Sequence, residues 1–387
     1  GGELVVEGML GRGQFSSVYL CSDRAAGRLG ALKVYKAAEH YKDFARDEVR
    51  LLEVATSKGK SHMDCFGSHP HVVRLLRHFQ HEGPQCCHPC LLLEVMGPTV
   101  LDLAQECAKD QLPMLVLRNI ARDALCGLHF LHASCSIIHT DIKPENILAF
   151  VDESGVREES GSNDALEGPP QKRCRVAAVT CRQRRRAGAR RILRSALARN
   201  MPRIASFGLA DLGNGCFTDA HVSDFIQTCE YKAPEVLLGA GYDTSADLWS
   251  LACTLYECAT GRYLLDPRCS QARPRALDIN GRRQLSGKVV HGSADMPLEE
   301  EHVAQIVELA GPLPEPLLRR GNLTQQLLTQ DDGWVLRQLG VPLASLTRAC
   351  LRERLLEHLA SEDDVTELDQ LLAPMLRVEP AERPCAK

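Results

Sequence analysis

Apolar and polar positions change their rhythm near Gly97. Before it, residues 4–10 (LVVEGML), 16–23 (SSVYLCSD) and 29–36 (LGALKVYK) are short runs of β-forming residues separated by glycine-bearing turns. One interruption, residues 44–55, sets Phe44, Ala45, Val49 and Leu52 at helical spacing with Leu51 on the flank. Residues 71–79 and 90–96 predict two further strands. Beyond Gly97, residues 117–133, 245–261, 300–311 and 364–376 all repeat apolar positions with the period of an amphipathic helix. The pattern predicts an α+β chain, β-rich over residues 1–97 and helical over 98–150 and 204–387. Residues 151–203 break it, opening acidic and rich in Gly and Ser before turning arginine-rich, as inserted loops do. Residues 268–297 are polar without sustained periodicity. No internal repeat is present.

Charge sharpens this division. The 387 residues carry a net charge of −4, yet residues 171–203 hold 12 Lys/Arg and no Asp/Glu. The rest of the chain has 34 basic residues against 50 acidic ones, a net charge of −16. An acidic body attracts basic partners. Hydrophobic content of 44% excludes global disorder, and no run of 18 apolar residues predicts a membrane span. No charged-then-apolar leader opens the chain. It begins Gly1-Gly2, as expected of a domain excised from a longer chain, and it stops soon after Arg383, so its closing helix is expected to be clipped. The 17 cysteines are too few for a disulfide scaffold, and many fall in apolar segments, as small buried hydrophobes do in a reducing compartment.

Candidate chemistry lies at the boundaries of these elements. Gly11-Arg12-Gly13-Gln14-Phe15-Ser16-Ser17-Val18 connects two strand-like runs. A dinucleotide-binding glycine loop would enter a helix; this one re-enters a strand, which suits a hairpin lid over phosphates. Lys33 follows in Ala31-Leu32-Lys33. His139-Thr140-Asp141-Ile142-Lys143-Pro144-Glu145-Asn146 then brings a carboxylate, an ammonium and an amide into one loop, supplying a base, a phosphate contact and a metal ligand. Asp211-Leu212-Gly213 adds a second carboxylate, and Ala233-Pro234-Glu235 follows. Ser206-Phe207-Gly208 mimics the metal triplet but has no carboxylate.

In this order the motifs resemble the protein-kinase signature set over essentially the whole chain. The resemblance implies a bilobal fold of a β-rich N-lobe and a helical C-lobe, carrying residues 151–203 as an insert, with ATP and Mg²⁺ as cofactors. Gly11, Gly13 and Ser16 would bring backbone amides to the phosphates. Lys33, held by Glu48, would contact them too, and Asn146 and Asp211 would hold the metal. Val18, Ala31 and Leu148 would enclose the adenine, with Glu94 and Met96 in the hinge. Asp141 would orient the substrate hydroxyl and act as base, and Lys143 would neutralise the transferred phosphoryl group. Asp247 would hydrogen-bond the catalytic loop, and Glu235 and Arg383 would form a buried ion pair.

Residues 137–148 (IIHTDIKPENIL) and the segments GQFSSVYLCSD, ADLGNGC, GAGYDTSADLWS and CATGRYLLDP are similar to the serine/arginine-protein kinases. That resemblance implies serines in arginine/serine-rich splicing factors as substrate, a monomeric enzyme in cytoplasm and nucleus, and no membrane or direct nucleic-acid contact. Glu301 and Glu308, seven apart on one predicted helix face, match acidic positions of the family's docking region. Arg262 stands where the family tends to carry an acid, and Cys229-Glu230-Tyr231-Lys232 lacks both arginines of the family's Arg-x-Tyr-Arg. Thr140 replaces the arginine that would read an activation-loop phosphate, so Thr218, Ser223, Thr228 and Tyr231 are expected to need no phosphate.

Other readings stay open. The chain could be a dual-specificity splicing kinase acting on different basic substrates, or an inactive scaffold. The basic segment could be a plain flexible insert, a nuclear-import patch, an RNA contact or a mimic of substrate; it has no aromatic residue for stacking on single-stranded RNA. Cys86, Cys87, His88 and Cys90, with His62, Cys65, His69 and His71 upstream, could bind zinc, but without a second pair at finger spacing ordinary hairpin cysteines are the expectation.

Overall fold

The computed structural model describes residues 4–13, 15–66, 69–83, 86–150, 206–268, 296–331 and 333–386. The predicted insert and most of the 268–297 stretch lie outside the described residues. The chain divides into two compact units, one made of residues 1–106, 122–135 and 145–215, the other of residues 107–121, 136–144 and 216–387. A single cut at Gly97 does not describe this division.

The first unit is built on a five-stranded antiparallel sheet of β1 (Leu4–Arg12), β2 (Ser16–Asp23), β3 (Arg28–Tyr35), β4 (Leu75–Glu82) and β5 (Cys87–Leu93), in the order β1-β2-β3-β5-β4. Strand β4 starts at Leu75; before it Val72 and Val73 pair with Leu209, and His71, at φ 55°, lies outside the extended region. Strand β5 begins earlier than its apolar run and ends at Leu93, before Glu94 and Met96. Helix α1 (Glu39–Phe66) is more than twice as long as its periodic core. Its Ala45, Leu51, Leu52 and Ala55 are buried, while the polar second half, residues 57–66, shows little of the spacing that marks a helix in sequence. Helix α2 (Val100–Gln105) opens on a reciprocal cap between Thr99 and Asp102.

Residues beyond Gly97 return to this unit by backbone pairing. Ile147–Ala149 pairs with Phe207–Leu209, and Leu209 exchanges hydrogen bonds with His71 and Val73 (2.8 and 2.9 Å). Gly97 N–H donates to the Ala149 carbonyl at 2.7 Å. Helix α3 (Met114–His129) and the π-turn after it (Phe130–Cys135) supply Leu128, Phe130 and Leu131 to the core. Asp123 of α3, 1% exposed, accepts the Phe207 N–H at 2.8 Å.

The second unit is helical: α4 (Pro234–Leu238), α5 (Ser245–Thr260), α6 (Met296–Ala310), α7 (Glu315–Arg320), α8 (Thr324–Leu327), α9 (Leu351–Leu356) and α10 (Glu362–Met375). Helix α5 is apolar nearly all round and is its central element; Trp249 and Tyr256 are core residues. An unpredicted hairpin pairs Leu328–Asp331 with Gly333–Leu336. Glu235 and Arg383 form a bidentate pair (2.6 and 2.7 Å) with both side chains fully buried. A buried carboxylate persists when it is ion-paired or hydrogen-bonded, and here it is both. Among the described residues no helix is long and apolar enough to cross a membrane.

Candidate active site

In the first unit, the β1–β2 hairpin sets Gly11 opposite Val18 and Arg12 opposite Ser17. Gly13 N–H donates to the Ser16 carbonyl at 2.8 Å and closes the turn. A Cβ at Gly11 would meet no atom within 4 Å, and one at Gly13 only the Ser16 carbonyl oxygen at 3.8 Å. These glycines therefore leave the loop backbone open rather than serve close packing. Phe15 anchors the tip, its ring 5.4 Å from Phe44 and 5.7 Å from Tyr41 of α1. Strand pairing puts Val18 opposite Lys33 and Ala31 opposite both Leu20 and Leu93, while Leu148 bridges to Thr99. Met96 is buried against Gly208, to which a Cβ would approach its methyl at 3.2 Å. The Glu94 carboxylate is engaged by Arg74, through backbone N–H (2.7 Å) and Nε (3.0 Å), and Glu94 N–H donates to the Arg74 carbonyl (3.1 Å).

Lys33, Glu48 and Asp211 meet although 15 and 178 residues separate the partners of each pair. Lys33 Nζ donates to Glu48 Oε1 and to Asp211 Oδ1, both at 2.7 Å. Burial alone would lower the lysine's pKa; Glu48 and Asp211 outweigh it and hold the ammonium well above its usual range. Tyr35 adds its hydroxyl to Glu48 Oε2. Asp211 adopts a left-handed backbone (φ 66°), uncommon away from glycine. Ala210 N–H donates to the Asn146 carbonyl (2.9 Å), which brings the ends of the Ile147–Ala149 and Phe207–Leu209 ladder together and Asn146 and Asp211 with them. One carboxylate and one amide are hard oxygen donors, the ligand chemistry that suits a magnesium-sized cation.

The second unit holds a separate group of candidate residues. Asp247, fully buried, accepts the backbone N–H groups of His139 and Thr140 (2.8 Å each) and fixes the loop. Thr140 is itself buried at φ 66°. Asp141, 6% exposed, accepts Lys143 Nζ on Oδ2 at 2.8 Å and the Thr228 hydroxyl on Oδ1 at 2.7 Å. Lys143 also donates to Thr228 Oγ1 at 3.0 Å, so three residues form a closed ring of contacts. Gln227, at φ 68°, donates to the Ala246 carbonyl and Ser250 Oγ and accepts from Ala233 N–H, which clamps the segment before α4. Tyr231 donates its hydroxyl to Glu257 at 2.6 Å. Thr228 and Tyr231, expected from the sequence to need no phosphate, thus have structural duties.

The docking pair departs from expectation. Glu301 and Glu308 both lie on α6, but Glu301 is 6% exposed and accepts from Gln305 Nε2 at 3.3 Å. Gln305 in turn bonds the backbone of Asp266. Seven-residue spacing correctly implies one face; it does not say whether that face is solvated. Glu308 is half-buried. In the cysteine-histidine stretch Cys86 and Cys87 are exposed, while His88 Nδ1 lies 2.8 Å from the Tyr35 carbonyl and Cys90 joins a buried cluster with Cys21, Leu32 and Leu92. Among the described residues no group of three or more His, Cys, Asp or Glu is placed to hold a metal ion.

Residues 4–157 and 192–387 match the model of the protein kinase domain, so the chain belongs to the protein kinase family. It is 29% identical to the serine/threonine-protein kinase SRPK of Physarum polycephalum, over 98% of this chain and 82% of that protein. It is 28% identical to protein kinase dsk1 of Schizosaccharomyces pombe (98% and 78%) and 26% identical to SRSF protein kinase 3 of Homo sapiens (83% and 74%). Within the protein kinases, these relatives support the serine/arginine-protein kinase group, and the enzyme is a protein serine/threonine kinase.

Proposed function

We propose that this kinase transfers the γ-phosphoryl group of ATP to serines of arginine/serine-rich splicing factors, with Mg²⁺ as its metal. The observation that carries the acceptor side is the aliphatic hydroxyl seated on Asp141: Thr228 Oγ1 donates to Oδ1 at 2.7 Å, the hydrogen bond a substrate serine would make with a base. The substrate class rests on the name of the human relative and on the net charge of −16 outside residues 171–203. An acidic body draws in arginine-rich chains.

The roles follow from phosphoryl transfer, in which positioning and charge stabilisation supply most of the catalysis. Asp141 orients the serine hydroxyl and receives its proton. Lys143, already bonded to that carboxylate, neutralises charge on the transferred group. Lys33 contacts the nucleotide phosphates, and the Gly11–Gly13 backbone approaches them. Asn146 and Asp211 would hold Mg²⁺, which when bound screens the phosphate charge. Work on splicing factors implies residence in cytoplasm and nucleus, to be read by imaging a tagged chain.

The test is Mg²⁺-dependent phosphate incorporation from ATP into an arginine/serine-repeat peptide. Wild type should label the peptide, and Asp141→Asn should be ~10²–10⁴-fold slower, the usual effect of losing a general base. Labelling of unrelated basic proteins but not of the repeat peptide would sink the substrate class.

A further inference from the structure

Tyr35 closes β3 two residues beyond Lys33, so the two side chains leave the same face of the sheet. There they share Glu48. The carboxylate is 1% exposed, and its two oxygens have different donors, Lys33 Nζ on Oε1 at 2.7 Å and the Tyr35 hydroxyl on Oε2. Tyr35 is itself 2% exposed, and its ring lies 5.2 Å from the Lys33 ammonium. The turn after Asp211 covers the same group: a Cβ at Gly213 would stand 3.3 Å from Asp211 Oδ1, 3.5 Å from Tyr35 Oη and 3.8 Å from Glu48 Cδ. One side chain thus touches Lys33 through its ring and Glu48 through its hydroxyl, and borders the turn that carries Asp211.

The division of labour on Glu48 has a physical reason. An ammonium is a compact charge without a fixed fork, so it attracts a carboxylate without setting its plane. A second donor on the other oxygen removes that rotation. The phenol does so without adding charge, and Lys33 keeps its donors for Glu48 and Asp211.

We propose that Tyr35 is a positioning residue of the phosphoryl-transfer reaction, its hydroxyl orienting Glu48 so that Lys33 is held in register with Asp211. This rests on the roles assigned to Lys33 and Asp211 under Proposed function. A tyrosine serving only the core would act through its ring, and phenylalanine would replace it without consequence.

The experiment is a double-variant cycle on the whole chain. Tyr35→Phe keeps the ring and removes the donor. Losing a hydrogen bond to a charged group shifts an equilibrium by roughly tenfold or more, so kcat/KM for ATP should fall about tenfold, with KM for the peptide and the melting temperature nearly unchanged. In a Glu48→Ala background the same change should cost less than about twofold, since the hydroxyl then has no carboxylate to orient. If Glu48→Ala turns over too slowly to time, the cycle is read on the dissociation constant of ATP in the presence of Mg²⁺. Wild-type kcat/KM in Tyr35→Phe, an equal loss in both backgrounds, or a loss that follows a lowered melting temperature would each overturn the proposal. Failure of the wild type on the repeat peptide alone would count against the substrate class and not against Tyr35, because the ATP dissociation constant can still be measured.

Discussion

Replacing Thr228 with valine should slow the kinase about 10- to 100-fold, while serine at the same position should restore most of the rate. Valine matches the shape of threonine but removes two contacts at once: the donor to Asp141 Oδ1 (2.7 Å) and the acceptor for Lys143 Nζ (3.0 Å). Hydrogen bonds to charged groups contribute ~1.5–3 kcal/mol, and 1.36 kcal/mol off a barrier is about tenfold in rate. Two effects oppose each other here. Loss of the donor leaves Asp141 Oδ1 open to the substrate hydroxyl, which favours catalysis. It also frees a carboxylate whose direction decides whether a serine hydroxyl is aligned, and misplacement of about 1 Å can cost ~10²-fold. Orientation wins by that comparison. The assay is kcat and kcat/KM on an arginine/serine peptide, with melting temperatures recorded so that unfolding is not mistaken for lost chemistry. Valine at wild-type rate, or serine no better than valine, would refute the reasoning.

Arg383→Met should destabilise the fold by ~3–5 kcal/mol, because it leaves the fully buried Glu235 carboxylate without its bidentate partner; pairing it with Glu235→Leu should recover part of the loss in urea melts, and a single-variant effect below ~1 kcal/mol would contradict the assignment. Acid should weaken the fold through His302, whose ring nitrogens have no hydrogen-bond partner among the described residues and whose pKa is pushed down to about 3 by burial and then by Lys232. The unfolded chain takes up that proton near pH 6.5 and the native chain does not until about 3, so stability should fall by up to ~1.4 kcal/mol per pH unit across this window as pH drops. His302→Leu should flatten the slope, and an unchanged slope would show that other groups carry it. For docking, Glu308→Lys is the informative reversal, since Glu301 is buried and Glu308 only half-buried; KM for a long arginine/serine substrate should rise by roughly two- to fivefold at low salt, as a single charge contact allows, and an equal KM would place docking elsewhere.

Much of the chemistry was legible because its residues are adjacent in sequence. The loop from His139 to Asn146, the hairpin glycines Gly11 and Gly13, and the buried helix α5 each declare themselves through local spacing or composition. Only resemblance to a known family joins Lys33, Glu48 and Asp211 in the sequence, because they lie far apart along the chain. Tertiary structure decided the rest, for one physical reason: periodicity reports which residues share a face and is silent about what covers that face. Glu301 and Glu308 share one, and packing buries the first. Thr228 and Tyr231 read as free hydroxyls in a loop, until the fold brings up Asp141 and Glu257. Tyr35 reads as one more β-forming residue, and only the approach of α1 gives its hydroxyl a carboxylate to hold.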